Sequence, residues 1–252
     1  MNRIARTVFA GAATLGITTG LSPVVSALSF LDPKYQDPVL HFWARSVLAS
    51  AGVQHQVRGL EHLPTGNFVL VANHLSNFDA LVLFAHIRRH MRFVAKEELK
   101  RVPILGLALR RAGNIFIDRK GSSADRQKLH EAAKAVRERV SVVFFAEGTS
   151  SEDGVLRPFK KGAAIMALEA GVPLVPVAIA GTHLILQKGS MIIHPHPAAL
   201  VIGKPIETDG RSVDARDELT DEAHAAVAAL LTEGNAMVEQ MVQEQQPSRA
   251  MR

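Results

Sequence analysis

Six short apolar runs, separated by polar turns and by stretches of helical periodicity, constrain the fold of this 252-residue chain more than any other feature. The runs cover residues 68–72, 93–95, 115–117, 142–145, 174–180 and 199–202. Each has three to seven residues, which is the length of a buried strand rather than of a helix. Continuous apolar runs are typical of strands that are covered on both faces. They predict an α/β fold, a single domain with a mostly buried central sheet wrapped by helices.

Helical periodicity is found between some of these runs and also before the first and after the last of them. Apolar side chains recur at helical spacing in residues 38–51, 80–87, 123–140 and 217–242. We therefore expect a hydrophobic segment and an amphipathic helix in residues 1–52 and a catalytic domain in residues 53–243. Residues 244–252 are predicted to form a disordered tail, because they are polar and short.

The amino-terminal segment carries no formal charge from residue 7 to residue 31. It is long enough to cross a hydrocarbon core of ~30 Å, so it is predicted to associate with a membrane. Its glycines and Pro23 predict an interrupted helix. A tilted, broken or half-inserted anchor is therefore an alternative to a helix that spans the membrane fully. A cleaved signal peptide is a second interpretation, supported by Arg3, Arg6 and the small-residue pattern Val25-Ser26-Ala27. A plain buried helix is a third.

Composition excludes some functions. The chain has no cysteine, which excludes disulfides, cysteine-ligated metals and a thiol nucleophile. Its net charge is +5, and residues 88–120 carry ten Lys and Arg against three acids. Such a basic region suits an anionic membrane surface or a phosphorylated ligand. Because one Trp and one Tyr leave few platforms for stacking bases, we expect no nucleic-acid partner.

A histidine and an aspartate follow the first predicted strand. His74 comes two residues after the run 68–72, and Asp79 lies five residues further on. If the chain turns between them, the carboxylate can accept a hydrogen bond from one ring nitrogen and leave the other as a base. This spacing is weak evidence by itself, since a histidine in this position can also cap the next helix. His74 and Asp79 are therefore candidate catalytic residues.

Two more predicted strands end in polar sequence. The run 142–145 leads into Ala146-Glu147-Gly148-Thr149, where the glycine lets backbone amides approach a ligand. The run 115–117 leads into Asp118-Arg119-Lys120, and an arginine is suited to a bidentate grip on phosphate. Strand ends are where α/β folds present reactive groups, so these segments are candidates for one site.

With these residues in place, the chain resembles the glycerolipid acyltransferase family. The family's Asn-His-x-x-x-x-Asp block is similar to residues 73–79, and its Phe-Ile-x-Arg block to residues 116–119. Its Phe-Pro-Glu-Gly-Thr block is similar to residues 145–149, and its Val-Pro-x-Val-Pro-Val block to residues 172–177. Four blocks in the family's order form a stronger signal than any one of them.

The resemblance implies an activity. A fatty acyl group would pass from a thioester, acyl-CoA or acyl carrier protein, to the free hydroxyl of 1-acylglycerol-3-phosphate, and no other cofactor would be needed. His74 would act as the base and Asp79 would orient it, with no covalent intermediate. The resemblance also implies a catalytic domain on the cytosolic side of the cytoplasmic membrane.

The resemblance further implies a binding site for the glycerol phosphate. Its residues would be Arg119, Glu147, Gly148 and Thr149. Two departures matter. Ala146 replaces the usual proline before Glu147, which changes the stiffness of the backbone, and Ser150 stands where the family commonly has an arginine. Lys160 or Lys161 could replace that contact. A lysolipid with a different headgroup therefore remains an alternative acceptor.

Other interpretations remain beside this one. Ser76 could serve a lipid hydrolase, but no Gly-x-Ser-x-Gly elbow surrounds it. His183, His194 and His196 lack a second ligand cluster at a recognisable spacing, so we expect a loop and no metal. A catalytically silent lipid-binding protein of the same fold is the third alternative, and it predicts that His74 or Asp79 would be missing.

Overall fold

The computed structural model describes residues 3–28, 30–101, 105–117 and 123–245 of the chain. Within these residues the strands form one seven-stranded sheet in the order β1-β7-β6-β2-β5-β3-β4. All neighbouring strands are parallel except β6 and β7, which are antiparallel. The predicted α/β fold with a buried central sheet is therefore confirmed.

The strands match the six predicted runs, and one strand was missed. The strands are β1 His55–Arg58, β2 Val69–Ala72, β3 Met91–Lys96, β4 Ile115–Ile117, β5 Ser141–Phe145, β6 Leu174–Ala180 and β7 Ala198–Ile202. Strand β1 escaped prediction because it lies at the edge of the sheet and holds a single apolar residue, Val57. Its side chains alternate between half-buried and exposed, so it lacks the continuous apolar pattern of a covered strand.

Eight helices are described. They are α1 Arg3–Leu28, α2 Asp37–Ser50, α3 Phe78–His86, α4 Leu105–Arg111, α5 Ser123–Glu138, α6 Gly162–Ala170, α7 Thr182–Ile185 and α8 Arg216–Gln245. Helices α4, α6 and α7 were not predicted, since they are short and α6 is buried on most sides. Helix α8 includes residues 244 and 245, which corrects the start of the predicted tail. There Gln240 Nε2 donates to Glu244 Oε1 at 3.0 Å and Gln245 Nε2 donates to Gln54 Oε1 at 2.9 Å.

The amino-terminal segment forms one helix that continues through Pro23. The prediction that glycines and proline interrupt it was wrong, since the helix continues past Pro23 although an interior proline removes one backbone hydrogen bond. Within α1, residues Thr7–Leu28 are long and apolar enough to cross a membrane, with a mean hydropathy of 1.5. Only 6% of that window is buried inside the protein, so most of its apolar surface faces outward.

The sheet separates two layers of core. Leu70 and Ala72 of β2 point toward α2 and α3, whereas Val69 and Val71 point toward α5 and α6. A third apolar cluster joins α8 to β6 and β7. Because helices cover both faces, polar side chains reach the solvent mainly where strands end.

Candidate active site

Three neighbouring parallel strands end at the same edge of the sheet and each is followed by a polar residue. His74, Glu147 and Thr182 come two residues after the last residues of β2, β5 and β6, respectively. Strand β2 pairs in parallel with both β5 and β6. The carboxyl ends of the three strands therefore bring these side chains to one place.

His74 and Asp79 are hydrogen-bonded, as their spacing predicted. His74 Nδ1 lies 2.7 Å from Asp79 Oδ2, and the Asp79 side chain is fully buried in the first turn of α3. The same carboxylate oxygen accepts the backbone N–H groups of Leu75 at 2.7 Å and of Ser76 at 3.0 Å. The turn between histidine and aspartate thus folds around the carboxylate and fixes its position.

The other oxygen of Asp79 accepts a hydrogen bond from the Thr182 hydroxyl. Thr182 is fully buried and follows β6 in the first turn of α7. Asp79 therefore receives donors from three places in the structure: the imidazole, the backbone of its own turn and the end of β6. Hydrogen bonds of this kind stabilise a buried carboxylate in its charged form.

Among the described residues, the imidazole of His74 has a hydrogen-bond partner on one of its two nitrogens. Its Nδ1 is occupied by Asp79, while the side chain remains 21% exposed. The ring stacks on Phe145 at the end of β5, with 4.3 Å between centroids and 18° between planes. With Asp79 on one nitrogen and Phe145 against one face, the orientation of the ring is fixed.

Glu147 links the histidine turn to the segment that follows β5. Its Oε1 accepts the backbone N–H of His74 at 2.7 Å, and its Oε2 accepts the backbone N–H of Arg157 at 3.0 Å. Burial raises the pKa of Glu147, and the two backbone hydrogen bonds oppose that rise. Because both carboxylate oxygens accept backbone N–H groups, Glu147 holds the His74 turn against the segment that contains Arg157.

The other predicted binding residues lie around this edge with different exposure. Gly148 has φ +81°, a conformation that favours glycine, and Thr149 is exposed. Lys160 is exposed, and its backbone N–H donates to Ala146 O at 2.8 Å, next to Glu147. Arg119 lies outside the described residues. The binding roles of these residues stay predictions.

Lys160 and Lys161 differ in their ion pairs. Lys161 Nζ is 2.8 Å from Asp217 Oδ2 at the start of α8. Among the described residues Lys160 has no ion-pair partner. Lys160 is therefore the better candidate for the contact that Ser150 does not provide.

The hydrolase alternative has no support in the geometry. Ser76 is 4% exposed, and its hydroxyl donates to Leu186 O at 3.0 Å rather than to the imidazole of His74. A nucleophilic serine needs its hydroxyl against the base. Ser76 instead fixes the loop that follows α7.

The three histidines considered as metal ligands lie in α7 and in the loop after it. No group of three metal-binding side chains occurs anywhere in the described part of the chain. Burial lowers the pKa of His183, with a smaller contribution from His196. The sequence expectation of a loop holds for His194 and His196, whereas His183 lies in the short helix.

Thr182, Phe145 and Asn73 belong to the site's framework, and their contacts were not predicted. Asn73 clamps β2 to β6, because its side-chain amide donates to Ile179 O and accepts from Ile179 N, both at 2.8 Å. A signal for Thr182 was present in the sequence, since Gly181-Thr182 directly follows the longest apolar run. Applying the strand-end argument to that run would have found it.

The part of the chain that holds this edge of the sheet matches a known protein family. A family model described as acyltransferase matches residues 54–180, which include β2, β5, β6 and the His74 turn. This chain belongs to that acyltransferase family.

Its relatives indicate a narrower group. The chain is 35% identical over 174 residues to a 1-acyl-sn-glycerol-3-phosphate acyltransferase of Limnanthes douglasii, covering 69% of this chain and 62% of the relative. It is 31% identical over 185 residues to 1-acyl-sn-glycerol-3-phosphate acyltransferase alpha of Mus musculus, covering 72% and 65%. The chain thus spans less than two thirds of the length of either relative.

A solved structure is similar over nearly the whole chain. It is the crystal structure of the 1-acyl-sn-glycerophosphate acyltransferase PlsC from Thermotoga maritima, with a TM-score of 0.78 and 27% sequence identity. The match covers 92% of this chain and 97% of the other. The amino-terminal helix and the sheet therefore form an architecture that a solved enzyme shares.

Proposed function

We propose that this protein transfers a fatty acyl group from a thioester to the free hydroxyl of 1-acylglycerol-3-phosphate, giving phosphatidic acid. The observation that carries the proposal is the oriented His74 imidazole, whose Nε2 is available at the open edge of the sheet. The similar enzymes are acyltransferases of 1-acyl-sn-glycerol-3-phosphate, which supports this choice of acceptor.

In the proposed reaction His74 Nε2 takes the proton of the acceptor hydroxyl as its oxygen attacks the thioester carbonyl. The negative charge of Asp79 stabilises the imidazolium that forms. When the tetrahedral intermediate collapses, the C–S bond breaks and the leaving thiolate takes the proton from His74. The products are the ester and the free thiol, and no acyl group is attached to the protein at any step.

The phosphate of the acceptor would lie beside the segment that follows β5. The positive φ of Gly148 turns the backbone there, and Thr149 adds a hydroxyl donor. Lys160 would supply a positive charge near the same segment, and Arg119 a bidentate one. This part of the proposal rests on the position of residues 146–160 next to His74.

The proposed location is a membrane surface. Helix α1 offers an apolar window with 6% of its residues buried, so a bilayer could cover the remainder. A catalytic domain on the cytosolic side would meet both water-soluble donors, acyl-CoA and acyl carrier protein, and the anionic face of the cytoplasmic membrane.

A second candidate function is acylation of a lysolipid with another headgroup. The observation that favours it is Ser150, which replaces a phosphate-binding arginine of the family. The chemistry at His74 would be unchanged and the selectivity for the acceptor would differ.

Acceptor competition tests the proposal. Purified full-length protein in neutral detergent would receive labelled oleoyl-CoA or oleoyl-acyl carrier protein, with lysophosphatidate, lysophosphatidylglycerol and lysophosphatidylcholine as acceptors. We expect preference for lysophosphatidate, and a raised KM for it in Lys160→Gln but not in Lys161→Gln, its neighbour paired with Asp217. Preference for another acceptor would select the second function. Absence of transfer from either donor would contradict both functions and favour a catalytically silent lipid-binding protein.

A further inference from the structure

A cationic groove of about 840 Å³ lies near the amino ends of the parallel strands β2, β5 and β3. We call this the amino edge of the sheet, and the edge that carries His74 the carboxyl edge. One wall is a face of α2, and the other is the turn Arg88-Arg89-His90 that precedes β3. Strands β2, β5 and β3 are parallel neighbours. The turn before β3 and the His74 turn after β2 are therefore at opposite ends of the strands.

The α2 wall is a face that the core does not use. Its groove-lining residues recur at intervals of three or four positions, at 38, 41, 42, 45, 46 and 49. The buried residues of α2 are Ala44, Val47 and Leu48, on a different face. Helix α2 therefore has a second face, with cationic and aromatic side chains, that does not pack against the core and remains accessible to a ligand.

Positive charge dominates this groove. Arg45, Arg88, Arg89 and Lys34 line it together with one carboxylate, that of Asp37. Within the described residues neither Arg45 nor Arg88 has an ion-pair partner. Lys34 forms an exposed pair with Asp32 at 3.1 Å, so its contribution is smaller.

The single carboxylate in the groove is already neutralised. Asp37 Oδ1 lies 2.9 Å from Arg92 Nη1, and Asp37 Oδ2 lies 2.7 Å from His90 Nδ1. Arg89 is held in place by its own contacts, since Nη2 donates to the backbone carbonyls of Thr65 and Gly66. The groove thus keeps net positive charge with one guanidinium already positioned.

Exposed apolar side chains adjoin these cations. Phe42 lies in the groove and is 61% exposed, and Tyr35 is 52% exposed just before α2. Phe30 and Leu31 follow α1 and are 81% and 72% exposed. Arginines beside exposed aromatic and aliphatic side chains, at the end of an apolar helix, match the boundary between headgroups and acyl chains.

We propose that this groove binds the phosphate-bearing headgroup of an anionic glycerophospholipid of the bilayer, as a second lipid site separate from the acceptor site. Arg45, Arg88 and Arg89 would contact the phosphate, because a guanidinium forms paired hydrogen bonds with phosphate oxygens. Phe42 and Tyr35 would lie against the glycerol and the first part of the acyl chains. Binding here would dock the amino edge of the sheet on the membrane.

Trp43 is a built-in probe for the test, since it is the one tryptophan of the chain. It lies next to Phe42 on α2, and its Nε1 donates to Thr18 Oγ1 of α1 at 2.9 Å. Full-length protein in neutral detergent would be titrated with short-chain phosphatidylglycerol, with phosphatidylcholine of the same chain length, and with inorganic phosphate. Trp43 emission and the melting temperature would be followed together.

We expect a saturable response to phosphatidylglycerol alone. At ~1 kcal/mol per basic residue, Arg45→Gln/Arg88→Gln should raise Kd on the order of 30-fold, and Arg88→Gln alone about fivefold. The matched control is Lys134→Gln on α5 combined with Arg139→Gln directly after that helix. It removes the same charge from two exposed positions elsewhere and should change Kd less than about twofold.

Several outcomes would overturn the proposal. These are no saturable response in either readout, equal affinity for the two phospholipids, or equal losses in the groove and control variants. Inorganic phosphate binding as tightly as the lipid would indicate a free-phosphate site instead. If the double variant fails to fold, Arg88→Gln decides. The readout is binding, so it is independent of whether acyl transfer is observed.

Discussion

The two edges of this sheet use charge in opposite ways. At the carboxyl edge, Asp79 is fully buried and surrounded by donors, and the His74 ring is held against Phe145. At the amino edge, Arg45 and Arg88 are exposed and have no ion-pair partner in the described structure. Fixed, desolvated polar groups suit proton transfer to a defined atom, whereas exposed arginines suit an anionic ligand that arrives from a surface.

The largest effect that separates the edges should come from Asp79→Asn. The asparagine can still accept hydrogen bonds from the turn, but it has no charge to stabilise the imidazolium of His74. We expect the rate of acyl transfer to fall about 10³–10⁴-fold, with binding of the acceptor little changed. Steady-state kinetics with lysophosphatidate and oleoyl-CoA would measure it.

Asp221→Asn is the matched control, since it makes the same substitution at an exposed position on α8. It should leave the rate unchanged. Loss of less than about tenfold in Asp79→Asn would mean that the carboxylate positions the loop only, and that the two edges differ less in chemistry than we propose.

The next effect concerns α3, which runs from the His74 turn to His86, two residues before the groove turn. His86 Nε2 is 2.8 Å from His55 Nδ1, and burial, with smaller contributions from His55 and Arg45, lowers the pKa of His86 to about 4. Its ordinary value is near 6.5. Between these two pH values the unfolded chain binds the proton and the folded chain does not, so folding stability falls as pH drops.

We expect this histidine to account for about 2 kcal/mol of lost stability as the pH falls from about 6.5 to about 4, less than the full shift because the ring is partly exposed. Melting temperatures across that range would show a shallower decline in His86→Gln. His130→Gln, at an exposed position on α5, should retain the wild-type decline. Equal declines in wild type, His86→Gln and His130→Gln would show that His86 does not contribute to the loss of stability at low pH.

A smaller loss of activity should follow from Thr182→Val. The substitution removes the hydroxyl that donates to Asp79 Oδ1 and leaves that buried oxygen without this partner. We expect kcat to fall about tenfold with KM unchanged. Because Thr182 acts through Asp79 and not on the substrate, the loss should appear in the rate and not in the affinity for the acceptor.

Thr182→Ser keeps the donor and should restore the rate, with KM again unchanged. A loss of kcat in Thr182→Ser as large as that in Thr182→Val would contradict a role for the hydroxyl.

The smallest effect on catalysis should come from the groove. In neutral detergent Arg45→Gln/Arg88→Gln should keep kcat within about twofold of wild type, because neither arginine lies at the His74 edge. A large fall in kcat in well-folded protein would remove the distinction between a catalytic edge and a membrane-docking edge.

The sequence predicted those parts of the molecule whose signal is local. Apolar runs identified six strands, and the spacing of His74 and Asp79 predicted their hydrogen bond. Contacts that depend on tertiary packing were missed, such as that of Thr182 with Asp79, 103 residues apart. The groove was also missed, because it joins a face of α2 to a turn far along the chain. The prediction for α1 was wrong at Pro23. Local helix propensity disfavours an interior proline, but it does not determine whether the helix continues past the lost hydrogen bond.

The most direct test of the central claim compares acyl transfer by wild type, His74→Ala and His130→Ala under single-turnover conditions. If His74 is the base, His74→Ala should transfer at least about 10³–10⁴-fold more slowly, with an unchanged melting temperature, and His130→Ala should match wild type. Transfer by a folded His74→Ala protein at a rate within a few-fold of wild type would contradict the account.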